Sequence, residues 1–256
     1  MGRRAVSLEE ERRWVFNRVA EAYASRPPYP EALLRRLLAL SGGPGQRVAD
    51  LGAGTGHLAL PLAALGLAVT AVEPARAMLS ALRARRPEGV PLAAIHARAE
   101  ETHLPGGSFA LVLLADALQW VDPELTGREV ARLLAPGGVL AVVLARFART
   151  PFMEGLGALL LRANPRARGR PAEAARELFG LAVPGGVPAV ETFRQEARLD
   201  GAGLRALLAS LSYVGPALGP AAFERLLGEA EALARRTGGA AFGRELTLRW
   251  CARPRP

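Results

Sequence analysis

The sequence predicts an α/β fold, a mostly parallel sheet with helices on both faces. Three observations carry this. Short apolar runs alternate with segments of helical periodicity from residue 46 to residue 145. Each run is apolar on both of its faces, as strands are when a parallel sheet is covered from both sides. Acids, glycines and polar groups follow several of these runs, which is where sheets of this kind bind ligands.

Taken in order, Ser7-Leu8-Glu9-Glu10 has capping-box spacing, and Leu8, Val15, Val19 and Ala22 share a helical face. The proline-rich stretch Tyr23-Ala24-Ser25-Arg26-Pro27-Pro28-Tyr29-Pro30 ends that helix. Tyr23 and Arg26 either anchor this break or cover a ligand. Pro30 suits the first turn of a second helix that buries Leu33, Leu34, Leu37 and Leu38.

Residues 46–51 form the first strand, and Gly52-Ala53-Gly54-Thr55-Gly56 follows it. A strand, a glycine turn and a helix beginning at His57 make a corner that admits an anionic, nucleotide-like ligand at the helix N-terminus. The same pattern also serves as a corner packed tightly for its own sake. A second strand over 67–72 ends at Glu73, 21 positions beyond Gly52, where a carboxylate can accept two ribose hydroxyls. Pro74 opens a helix through Met78, Leu79 and Leu82, with Met78 either against a flat base or in the core.

The third strand covers 92–96 and the fourth 109–114, the latter running into Ala115-Asp116-Ala117-Leu118-Gln119-Trp120. Asp122 caps and Pro123 starts a helix, after which Ala135-Pro136-Gly137-Gly138 turns into a fifth strand over 139–144. Beyond Arg146 the alternation stops. Helices are expected over 151–161, 171–181, from Asp200 through Leu211, and from Pro220 through Leu233. Strands are expected over 190–199 and 243–252.

Composition narrows the function classes. The 256 residues can bury a full core, and half of them are hydrophobic. The net charge of +9 invites nucleic acid as a partner, yet all 33 basic residues are arginine and none is lysine, a skew that fits GC-rich codon usage. The arginines are scattered, without the interleaved aromatics of single-strand binders, so a nucleic-acid substrate is disfavoured. One cysteine, Cys251, suits a reducing cytoplasm. The N-terminus lacks the apolar core of a signal peptide, and the longest uncharged apolar run, 58–72, is shorter than the ~20 residues a membrane span needs. A cytoplasmic protein of one domain over 1–256 is expected. It would have a helical cover over 1–45, a cofactor-binding core over 46–145, and substrate-side helices with the last strands over 146–256. Nothing in the sequence sets an oligomeric state.

Asp50-Leu51-Gly52-Ala53-Gly54-Thr55-Gly56, Glu73, Ala99-Glu100 with Leu104-Pro105, Ser108 to Val112, Gln119-Trp120 and Leu134-Ala135-Pro136-Gly137-Gly138 occur in one order. In that order they resemble a class I S-adenosylmethionine-dependent methyltransferase. Phe16 to Tyr23, Arg26-Pro27 and Tyr29-Pro30 are similar to a subgroup of small-molecule methyltransferases, the ubiquinone/menaquinone-biosynthesis and trans-aconitate types. The resemblance implies a Rossmann-like seven-stranded sheet whose last strand is antiparallel, with a helical insertion before the last strands. It implies S-adenosylmethionine as cofactor and a small-molecule acceptor such as a carboxylate, enol or quinol.

On the resemblance, Gly52, Ala53, Gly54 and Gly56 cradle the cofactor's methionine part and Asp50 orients the loop or the ammonium. Glu73 takes the ribose, Pro74 or Met78 flanks the adenine, Ala99 offers its N–H to the ring, and Ala115 lies beside the methionine group. Tyr23 and Arg26 belong to the cover, Arg26 facing the cofactor carboxylate. Relatives carry an acid where Arg98 stands, so Glu100 is the substitute acceptor for the adenine amino group. They also carry His where Gln119 stands. Acceptor contacts fall to Gln119, Trp120, Arg146, Phe152 and Tyr213. Trp120 serves equally as core, and Arg146 either binds an acidic acceptor or sits in solvent, the second reading being favoured.

No Ser/His/Asp set is present, and His57, His96 and His103 lack metal-ligand spacing, so neither a catalytic base nor a metal is assigned. Two other readings share the strand, glycines and acid. One is a nicotinamide-dinucleotide oxidoreductase, whose fingerprint asks for Gly or Ala where His57 stands. The other is a protein that binds S-adenosylmethionine without transferring its methyl.

Overall fold

The computed structural model describes residues 8–164 and 171–255. Strands β1 (Arg47–Leu51), β2 (Ala68–Val72), β3 (Leu92–Ile95), β4 (Phe109–Ala115) and β5 (Leu134–Phe147) pair in parallel. Strand β7 (Ala240–Ala252) runs antiparallel to β5 on one side and to β6 (Ala189–Leu199) on the other. The sheet order is β3-β2-β1-β4-β5-β7-β6, the seven-stranded sheet with an antiparallel last strand that the sequence implied.

Alternation along each strand divides the core. On β4, Leu111 and Leu113 face one layer while Val112 and Leu114 face the other, and all four are fully buried. The first layer is completed by α2 (Glu31–Ser41) through Leu33 and Leu37, and by α3 (Ala59–Ala64) through Leu62. The second is completed by Val130 and Leu133 of α5 (Pro123–Leu133) and by Leu178 and Phe179 of α7 (Pro171–Ala182). A third cluster joins α6 (Pro151–Ala163), α8 (Gly201–Ser210) and α9 (Pro220–Arg236) to Phe242 of β7. The expected helical insertion is therefore split. Helix α7 covers the sheet, and the other three helices build a separate mass near the carboxyl ends of the parallel strands. Helix α1 (Leu8–Ala24) lies on α4 (Arg76–Arg85), with Val19 and Ala20 packed on Ala75 and Met78.

Several boundaries differ from expectation. Pro30 is the N-cap of α2 rather than part of its first turn, with ψ at 144°. Strand β7 starts three residues earlier than 243 because residues 240–242 find partners in β6. Strand β5 extends at both ends, pairing Leu134 with Phe109 and Phe147 with Arg244. The expected cap at Ser7 lies outside the described residues. Among the described residues no helix is long and apolar enough to cross a membrane.

One buried acid fixes the loop between β3 and β4. Glu129 of α5 accepts from the Thr102 N–H at 3.0 Å and from Arg132 Nη2 and Nε at 2.6 and 2.7 Å. Burial alone raises its pKa. The bonds from Arg132 and Thr102 outweigh burial and draw it down to about 2. A depressed carboxyl contributes stability above its unfolded pKa and loses it as pH falls toward its folded one. Glu129→Ala should therefore destabilise the fold by about 1–3 kcal/mol at neutral pH. That difference should shrink from the ordinary 4.5 down toward about 2. Urea melts of both proteins across this range check it, and a difference independent of pH counts against the ionised carboxylate.

Candidate functional site

The site grows from the end of β1. After Leu51 the Gly52 and Ala53 N–H groups both donate to Val72 O, at 2.8 and 3.1 Å, which ties the loop to the end of β2. Gly52 and Gly54 take φ of +76° and +57°, a region where an L side chain costs roughly 1–2 kcal/mol. A Cβ on Gly52 would also come within 2.9 Å of the Ala117 Cβ. On Gly54 it would meet nothing nearer than the Tyr23 ring, at 3.7 Å, so this is the open side of the loop. Gly56 is needed for packing, its Cβ position lying 3.0 Å from both Leu60 and Leu82.

The helix expected at His57 begins only at Ala59 and spans six residues, because turns occupy residues 54–58. The helix N-terminus inferred from the sequence as an anion site therefore lies two residues farther along, beyond the loop's turns.

Two acids stand beneath this loop. Glu73 Oε2 accepts from the Gly54 N–H and Oε1 from the Ala75 N–H, each at 2.8 Å. It is buried, and desolvation raises its pKa despite these bonds. Asp50 is 2 % exposed, and burial, with Glu73 adding repulsion, pushes it up to about 7. A carboxylate carries about four lone-pair sites. Each Glu73 oxygen therefore keeps one site for a hydroxyl while holding the loop.

The cover closes over the loop from above. Tyr23 lies edge-on to His57 with ring centres 5.7 Å apart, and the Arg26 guanidinium stacks 4.0 Å above the Tyr23 ring. Arg26 donates to Ser210 Oγ at 2.8 Å and Ser210 O at 3.0 Å, so it reaches across to α8. His57 Nε2 lies 3.2 Å from Arg26 O, and Nδ1 lies 3.1 Å from Thr55 Oγ1. A carbonyl only accepts, so Nε2 carries the proton and Nδ1 accepts from the Thr55 hydroxyl. Burial first, then Arg85, lowers the His57 pKa to about 4 and keeps the ring neutral. Its structural role matches the sequence reading, but it sits in a turn and couples the loop to the cover.

Farther out, Asn17 Oδ1 accepts from the Ala77 N–H at 2.9 Å. Phe16 meets Trp120 edge-on at 4.8 Å. Met78, 1 % exposed, lies under α1, and Pro74 O contacts His96 Nε2 at 2.9 Å. Ala99 is buried. Glu100 accepts from Arg98 and from the Asp122 N–H. Burial, the largest single influence, raises its pKa, but the bonds from Arg98 and the Asp122 N–H together outweigh it and the net shift is downward.

The acceptor side departs most from the sequence reading. Phe152 is 1 % exposed in the core of the α6, α8 and α9 cluster and presents no surface to a ligand. Arg146 points outward from β5, three-quarters exposed, and pairs with Glu245. Gln119 is exposed and donates to Asp116 O at 2.8 Å, and Trp120 is 38 % exposed at the crevice rim. Tyr213 lies close enough to feel the Arg26 charge, while burial pushes its phenol up.

Sequence reasoning missed a polar hub one residue beyond Ala115. Asp116, at φ +50°, accepts from the Ala145 N–H at 2.9 Å, Tyr29 OH at 3.2 Å and Arg244 Nη1 at 3.1 Å. Arg244 Nε donates to Gln195 at 2.8 Å, and the Gln195 amide donates to Pro27 O and Pro28 O. A cavity of about 30 Å³ adjoins it. Arg26 and Pro27 line it from the cover, Phe147 from β5, Leu207 and Leu211 from the end of α8, and Phe242 and Arg244 from β7. The acid directly after the apolar run of β4 was the one available signal. Arg244 gave none, because its inward orientation depends on the β5–β7 register.

Gly52→Ala should lower the unfolding free energy by roughly 1–2 kcal/mol from backbone strain alone. A thermal melt matching wild type counts against the left-handed loop. Asp50 should titrate near pH 7, visible as a carboxyl carbon shift by NMR that disappears in Asp50→Asn. Because its folded pKa is raised, its contribution to stability falls as pH rises from the ordinary 3.8 to about 7.

Comparison with known proteins agrees with this fold. Residues 49–142 match the family model described as a methyltransferase domain. An uncharacterised methyltransferase of Mycobacterium tuberculosis is 44 % identical over 126 residues, 49 % of this chain and 49 % of that protein. A demethylmenaquinone methyltransferase of Beutenbergia cavernae is 36 % identical over 103 residues, 40 % of this chain and 42 % of that one. The match thus spans half or less of the length of these relatives. Among solved structures, a type II methyltransferase from Anaeromyxobacter dehalogenans aligns over 90 % of this chain and 97 % of its own, with TM-score 0.63 and 24 % identity. A Haemonchus contortus phosphoethanolamine N-methyltransferase, solved with phosphomonomethylethanolamine and S-adenosylhomocysteine, covers 97 % of this chain and 58 % of its own at TM-score 0.56 and 16 % identity. The segment that builds the glycine loop, its acids and the strand ends around them is a methyltransferase domain of the class I, Rossmann-like type.

Proposed function

We propose that the protein transfers a methyl group from S-adenosylmethionine to a small-molecule acceptor in the cytoplasm. The observation that carries the reading is Glu73, buried at the end of β2 and held by the Gly54 and Ala75 N–H groups. Its remaining lone pairs suit two adjacent hydroxyls, as on a ribose. The open face of Gly54 suits the methionine part, and Asp50 suits the ammonium. Tyr23, Pro74, Met78, Ala99, Glu100 and Ala115 surround the same crevice in this reading. His57 occupies the position where a dinucleotide fingerprint carries Gly or Ala, which weighs against a nicotinamide cofactor.

When bound, the sulfonium supplies a methyl already activated for transfer, its carbon–sulfur pair returning to sulfur as the acceptor's lone pair takes the carbon. The chain then has mainly to align and enclose. Alignment of this kind is worth about 7–11 kcal/mol of barrier. The cover contributes by excluding water. Tyr23 stacks beneath Arg26, and His57 fixes Arg26 O to the loop. A carboxylate or enolate acceptor brings its own charge and needs no base.

Calorimetry with S-adenosylhomocysteine and with NAD tests the reading. The sulfur compound should bind and NAD should not, and the reverse overturns it. Glu73→Ala should weaken S-adenosylhomocysteine binding about tenfold or more, the worth of a bond to a buried charge. Unchanged affinity would remove Glu73 from the ribose site.

A further inference from the structure

We propose that the acceptor is a small carboxylate with an apolar body, held head-first between Arg244 and Arg26 in the cavity beyond Ala115. The inference rests on the methyltransferase reading and deepens it.

Charge comes first. Two guanidiniums line the cavity, and one carboxylate, Asp116, offsets them. Arg26 has neutral partners, the Ser210 hydroxyl and carbonyl and the Tyr23 ring face. Among the described residues no carboxylate pairs with it. Asp116 is already occupied by Ala145, Tyr29 and Arg244. One positive charge is therefore left over in a half-buried site, and a single anionic head is its complement. Each guanidinium carries five N–H donors, more than its hydrogen bonds to protein atoms use, and both side chains line the cavity.

Shape and polarity follow. The cavity's roughly 30 Å³ corresponds to about two waters at the ~10–15 Å³ each requires, the footprint of a carboxylate's two oxygens. Phe147, Leu207, Leu211 and Phe242 make the remaining wall apolar, which suits a hydrocarbon body and disfavours a second charge. Position completes the argument. Arg244 sits at the amino end of β7, opposite Phe147 of β5, and bonds to the residue after Ala115. Arg26, which lines the cavity, also stacks on the Tyr23 ring that faces Gly54, so the cavity adjoins the cover over the loop.

The test titrates butyrate, hexanoate and benzoate, each against its neutral amide, into the full-length protein with and without saturating S-adenosylhomocysteine. Each acid should bind roughly tenfold or more tighter than its amide, the scale of hydrogen bonds to a charged group. Arg244→Gln should abolish that preference while S-adenosylhomocysteine affinity stays within about twofold. Arg146→Gln, at the sheet surface, should leave the preference intact. Equal binding of acids and amides to wild type overturns the proposal, and so does a preference that survives in Arg244→Gln. The wild-type comparison stands even if that variant fails to fold. If S-adenosylhomocysteine itself does not bind, the methyltransferase reading falls, and titration of the free protein still decides whether the cavity selects carboxylates.

Discussion

The bonds from the Gly54 and Ala75 N–H groups to Glu73 hold the loop after β1 against the end of β2. The shape of the whole loop depends on that clamp. It requires a left-handed backbone at Gly52 and Gly54, which favours residues without a Cβ. It also requires a buried carboxylate, and burial next to Asp50 makes both acids harder to ionise. The fold accepts this cost because two backbone N–H groups satisfy Glu73 from within.

A second set of contacts fixes the cover. Asn17 caps the start of α4, Val19 and Ala20 pack on Met78, His57 bridges Thr55 to Arg26 O, and Arg26 reaches Ser210. These join residues far apart in sequence, so the cover, the loop and α8 form one continuous set of contacts. A buried neutral histidine suits such a bridge, since it donates with one nitrogen and accepts with the other.

The geometry of the glycine loop was legible in the sequence because its determinants are local. Strand, glycines and strand-end acid fall within 26 residues, from Val48 to Glu73, and their spacing reports their geometry. The sheet was legible for the same reason, through runs apolar on both faces. The polar hub around Arg244 depends on register. Arg146 and Arg244 are both arginines near strand ends, and the pairing of Phe147 with Arg244 sends one outward and the other inward. Phe152 illustrates the same point, since nothing local shows that α8 and α9 close over it. Asp116 was read only as part of a strand-end segment, because its three partners come from residues 29, 145 and 244.

Strand β7 enters the sheet from the opposite direction to its neighbours, so its beginning lies where the parallel strands end. A segment late in the chain thereby delivers side chains to a crevice whose floor was laid down within the first hundred residues. The glycine loop and the residues around Arg244 consequently come from separate stretches of sequence. The family model stops at residue 142, before α6, α8 and β7 begin. The part of the chain that matches the methyltransferase model therefore contains none of the α8 and β7 residues that line the cavity.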